Sequence, residues 1–81
     1  MTPTARSLAE HIGAKVRLLR SRRGWSQTHL AAKVGLSRCS ITNLEAGRQR
    51  LPLTRFLALA RALDVDPGLL LPADKPWRSG R

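Results

Sequence analysis

The chain has 81 residues, 42% of them hydrophobic, with 15 Lys and Arg against 5 acids for a net charge of +10. That length suits one domain with a small core, and no separate catalytic or effector domain is expected. The single Cys39 excludes an intramolecular disulfide and a cysteine-based zinc cage, while the charge excess points to a polyanion: DNA, RNA or an anionic membrane surface. One unpaired thiol fits a reducing, cytoplasmic setting. No apolar run approaches the ~20 residues of a membrane-spanning helix, so no membrane partner is expected. Residues 1–23 are Arg-rich with Glu10 as their one acid, which is the composition of a mitochondrial presequence. The better reading is structural, because their apolar stripe is needed for the core.

Residues 1–6 read as a flexible N-terminal arm, 7–72 as the folded domain and 73–81 as a flexible tail, in which Trp77 has no assigned partner. Helix 1 is placed at about 5–23. Its stripe Leu8, Ile12, Val16 and Leu19 covers roughly 80° of the circumference, the pattern of a half-buried helix. Gly13 interrupts it at a cost of about 1 kcal/mol relative to Ala. Lys15, Arg17, Arg22 and Arg23 read as a solvated basic face.

Trp25 precedes Ser26, and a staple or core contact is preferred to base stacking. The chain has two Trp, one Phe and no Tyr, too few aromatics for a single-strand binder. Ser26 caps helix 2, whose apolar face is Leu30, Ala31 and Val34, and Gly35 ends it through positive φ. Ser37 caps helix 3 and Gly47 closes it. At 100° per residue, Arg38, Thr42, Ala46, Cys39 and Asn43 fall within an arc of roughly 140°, opposite Ile41 and Leu44. Ile41 and Leu44 therefore face the core, and a slender polar face is left outward. Such a face suits base edges: Arg bonds guanine, Asn bonds adenine, and a Thr methyl touches thymine. Arg38, Cys39, Thr42 and Asn43 are the expected base contacts. Helix 4 is placed at about 54–63, with Phe56, Leu57, Ala60 and Leu63 as its core set and Leu59 on the flank. Asp66 caps a short helix 5 with Pro67 in first position, and Pro72 stops it. Leu69, Leu70 and Leu71 exceed what one small core needs. They form a dimer seam or, alternatively, all belong to the core.

Gly24-Trp25-Ser26-Gln27, Leu30-Ala31, Val34-Gly35, Ser37 and the run from Ser40 to Gly47 together resemble the helix-turn-helix of the lambda-repressor-like (Cro-type, XRE) regulators, a likeness that spans about residues 8–71. The resemblance implies a compact all-α, five-helix DNA-binding domain with the helix-turn-helix at helices 2 and 3. It implies sequence-specific transcription regulation by a homodimer on a partly palindromic operator, with helix 3 in the major groove of double-stranded DNA and half-sites about 34 Å apart. It also implies a buried or half-buried ion pair between Arg20 and Glu45, with a solvated Arg20 as the alternative. Gln27 would meet a phosphate at the start of helix 2, alongside Ser37 and Ser40, and Arg48 and Arg50 would do so from the loop after Gly47. Solvent-facing side chains are the alternative for Gln27, Arg48 and Arg50. The end of the domain around Leu69, Leu70 and Leu71 often supplies the dimer contact in this family. Small stand-alone chains of the type resemble phage repressors, restriction–modification controllers and antitoxin repressors, which suggests a bacterial or phage-encoded, cytoplasmic and nucleoid-associated protein. A protein partner such as a toxin or RNA polymerase is the second reading, with DNA binding then autoregulatory.

Catalysis is not expected. There is no carboxylate pair, no histidine triad candidate and no phosphate-cradling Gly loop. His11 and His29 lack a second-ligand pattern, so neither metal nor cofactor is expected. Cys39 reads as a small groove contact in preference to a redox switch.

Overall fold

Each helix is set first by its ends. A computed structural model describes residues 4–72. It comprises α1 (Ala5–Arg22), α2 (Gln27–Val34), α3 (Arg38–Glu45), α4 (Leu53–Ala62) and a 3-10 turn (Pro67–Leu70), with no strand among the described residues. Ser26 accepts from the His29 N–H and Ser37 from the Ser40 N–H, both at 3.0 Å. At α1 a reciprocal capping box joins Thr4 and Ser7, which were not read as a cap from the sequence. Residues 1–3 of the arm, and the 73–81 tail with Trp77, lie outside the described residues.

The helices α1, α3 and α4 all end in the same pair of backbone hydrogen bonds. Trp25 N–H reaches Arg20 O while Gly24 N–H reaches Ser21 O; Arg48 and Gly47 repeat this on Asn43 and Leu44, and Val65 and Asp64 on Ala60 and Arg61. The motif requires one left-handed residue. Gly24 and Gly47 supply it for α1 and α3, but at α4 it is Asp64, at φ 56°.

The expected fifth helix is instead the 3-10 turn. Asp66 caps it as read, its Oδ1 accepting from Gly68 N–H at 2.9 Å. With Pro67 and Gly68 as its first two residues and Pro72 just beyond its end, the segment is too short to build an α-helical ladder.

The core gathers one apolar stripe from each element. Val16, Leu30, Ile41, Leu59, Leu63 and Leu70 are fully buried, joined by Ile12, Ala31, Leu44 and Ala60. Two readings are corrected. On α4, Leu59 is fully buried and Leu57 is 47% exposed. The arc Leu59, Leu63, Phe56, Ala60 covers roughly 100°, and Leu57 falls about 60° beyond it. In the 3-10 turn, Leu70 is fully buried and Leu69 is 48% exposed, and Leu71 just after it is half-buried on the core. The core thus claims one of the three leucines entirely.

Helix α1 lies directly on the C-terminal end of α3, and two glycines allow it. A Cβ on Gly13 would sit 2.3 Å from the Leu44 carbonyl oxygen, and one on Gly47 would sit 2.7 Å from Glu10 Cα. Trp25 packs half-buried on the core. The His29 ring lies 4.8 Å from it, and the cations of Arg23 and Lys33 stand 5.3 and 4.9 Å from its centroid. Arg23 also donates to the Leu63 carbonyl, tying the ends of α1 and α4 together.

Candidate nucleic-acid interface

The reverse turn between α2 and α3 holds the two helices against each other, with Ile41 and Leu44 of α3 turned into the core. The opposite side of α3 is left outward. Arg38 and Cys39 are exposed there, followed by half-buried Asn43. Asn43 Nδ2 lies 3.9 Å from Cys39 Sγ, a weak contact that aligns the two side chains one turn apart. The ridge is slender, and its first residue is a cation at the positive end of the helix.

A polar clamp sets the position of α3. Arg20 of α1 donates from Nε to Glu45 Oε2 at 2.6 Å and from Nη2 to Glu45 Oε1 at 3.0 Å. Its Nη1 donates to the Trp25 carbonyl at 2.7 Å. The two side chains are only 13% and 4% exposed, for Arg20 and Glu45 respectively. The hydrogen bond to Glu45 raises the guanidinium pKa above its ordinary value; burial opposes this and the Glu45 charge adds to it. One planar fork thus joins α1, the α1–α2 loop and the last residue of α3.

The clamp extends to two residues that the sequence placed at the DNA surface. Gln27 Nε2 donates to Glu45 Oε1 at 3.1 Å, and Thr42 Oγ1 donates to Gln27 Oε1 at 2.8 Å. Both are half-buried. Nothing in the spacing signalled this link, because it joins the first residue of α2 to the middle of α3.

The remaining site residues surround the ridge without belonging to the clamp. The Ser37 hydroxyl, besides capping α3, donates to Ser40 Oγ at 3.1 Å. The Ser40 carbonyl accepts from Gln49 Nε2 at 3.4 Å, which bends the following loop back on α3. Arg48 and Arg50 project from that loop, both exposed. With Arg6, Glu10, Gln49 and Gly47 they line an open groove of about 590 Å³ between the loop and the start of α1. Arg6 Nε stands 3.6 Å from Glu10 Oε2 in a solvent-exposed pair of little energetic weight.

Residues 11–72 match the model of a family described as a helix-turn-helix domain. Antitoxin HipB of Escherichia coli (strain K12) is 32% identical over 50 residues, 62% of this chain and 57% of HipB, so the chain spans little more than half the length of that relative. A "Neisseria hypothetical transcription factor" from Neisseria meningitidis serogroup B is 35% identical over 71 residues, covering 86% of this chain and 67% of that protein. Among solved structures, the restriction-modification controller protein C.AhdI from Aeromonas hydrophila superposes with a TM-score of 0.74 at 36% identity, over 78% of this chain and 96% of that one.

Proposed function

The chain belongs to the helix-turn-helix domain family, and we propose that it is a sequence-specific regulator that seats α3 in the major groove of double-stranded DNA. The observation that supports this is the outward ridge of Arg38, Cys39 and Asn43, held in place from behind by buried Ile41 and Leu44 and by the Arg20–Glu45 clamp. Arg38 and Asn43 have the donor geometry for bidentate base contacts, and Cys39 is small enough to admit a base edge between them. Gln27, Ser37 and Ser40 at the starts of α2 and α3, with Arg48 and Arg50 on the loop, hold the phosphate backbone. The net charge of +10 supplies the long-range attraction. A homodimer on a partly palindromic site would bury exposed Leu69 together with Leu53 and Leu57 of α4, the element on which the 3-10 turn packs.

Selection of bound fragments from random DNA tests the reading, because it yields sequence, symmetry and half-site spacing together. Asn43→Ala is expected to relax one base position at a cost of about 1–3 kcal/mol. Failure to prefer any fragment over bulk genomic DNA would refute sequence-specific binding. The likeness to antitoxin HipB supports a second reading, in which a toxin is the main ligand and DNA binding is autoregulatory. Under it, purified partner toxin binds the chain without DNA.

A further inference from the structure

We propose that Thr42 is a positioning residue for Gln27 and not a base reader, an inference that rests on the DNA-binding reading above. The sequence pattern puts Thr42 on the outward arc beside Arg38, yet its hydroxyl turns toward α2. That hydroxyl has one proton. It goes to Gln27 Oε1 at 2.8 Å, with the Arg38 carbonyl at 3.1 Å as the other acceptor in reach. A proton committed in either direction is withheld from a base.

The effect on Gln27 is specific. Its Nε2 donates to Glu45 Oε1 at 3.1 Å, and Arg20 holds that carboxylate in a two-point grip. Turning the carboxamide over would set its carbonyl oxygen 3.1 Å from a carboxylate oxygen, acceptor against acceptor. One orientation survives: the carbonyl faces Thr42, one N–H faces Glu45, and the second N–H makes no bond among the described residues. This second N–H sits on the first residue of α2, beside the unpaired backbone N–H groups of that helix start. Thr42 and Glu45 therefore aim a donor on α2 at a phosphate before DNA arrives. The rotamer freedom that Gln27 would otherwise lose on binding is already spent on folding.

The test uses the full chain with two duplexes of equal length, one bearing the selected operator and one scrambled. Thr42→Val deletes the hydroxyl and keeps a methyl; Thr42→Ser keeps the hydroxyl and deletes the methyl. Thr42→Val is expected to weaken binding to both duplexes by the same factor, roughly three- to tenfold, the worth of one oriented neutral hydrogen bond. Thr42→Ser is expected to restore affinity, and Thr42→Val to have no further effect in a Gln27→Ala background. Relaxation of one base position in Thr42→Ser would make the methyl a base reader and overturn the proposal. So would an unchanged affinity in Thr42→Val, a loss confined to the operator, or losses that simply add with Gln27→Ala. Equal wild-type binding to both duplexes would refute sequence-specific reading alone, and the ratio of Thr42→Val to wild type would still decide the role of Thr42.

Discussion

Replacing Glu45 by Ala strands a guanidinium in a site built for its partner. In the wild type Arg20 gives two hydrogen bonds to Glu45, at 2.6 and 3.0 Å, and the two side chains are 13% and 4% exposed. Removing one member of a buried ion pair typically costs 3–5 kcal/mol, because the remaining charge stays desolvated. Arg20 keeps its bond to the Trp25 carbonyl and a sliver of solvent contact, which places the expected loss near the lower end, about 3 kcal/mol. For a domain of this size that is a fall in melting temperature of about 12–24 °C. Urea denaturation is the assay, since a shifted midpoint at unchanged slope reports stability directly. The reasoning fails if Glu45→Ala lies within about 0.5 kcal/mol of wild type, the range of an ordinary surface change. The double change Arg20→Met with Glu45→Leu provides the contrast. It removes both charges, so its stability is expected to be near wild type while its grip on the position of α3, and with it DNA affinity, declines. The alkaline side follows from the raised pKa of Arg20. A raised folded-state value gives stability that is fully present below the unfolded value and is lost only as pH rises through the folded one. The stability gap between wild type and Arg20→Met is therefore expected to stay flat from about pH 7 to pH 10.

Gly13→Ala raises helix propensity by about 1 kcal/mol. It also drives a methyl to 2.3 Å from the Leu44 carbonyl, part of a backbone that cannot swing aside. A net loss of about 2 kcal/mol in urea denaturation is expected, and a neutral or stabilised variant would mean α1 does not approach α3 that closely. Asp64→Gly relieves a left-handed aspartate at φ 56° and is expected to add about 0.5 kcal/mol; a lower melting temperature would count against the motif at the end of α4. Arg48→Ala is expected to weaken all duplexes alike and to cut the slope of log affinity against log salt by about one, and an unaltered slope would remove Arg48 from the phosphate contacts.

Much of this domain is written in short-range chemistry. Ser26, Ser37 and Asp66 act on backbone groups two or three residues away, so the caps they form depend on nothing beyond their own neighbourhood. The outward arc of α3 follows from helical geometry once Ile41 and Leu44 are recognised as its buried side. Other features had no such local signature. Leu57 and Leu59 are the same residue type on the same helix, and the side on which α4 meets the core separates them. Leu69 and Leu70 are adjacent leucines in one short turn, and the side on which that turn meets the core buries Leu70 and leaves Leu69 exposed. Gly13 looks like a flaw in a helix until the carbonyls of α3 are laid against it. Thr42 shares a face with Arg38 by angle alone, but its hydroxyl finds a partner on α2. By itself the amino-acid order determined the caps of α2, α3 and the final turn and which side of α3 stays free. Only the packed chain decided how near α1 lies to α3, which leucines remain outside and which polar groups are already engaged, because each depends on an atom brought close from a distant part of the sequence.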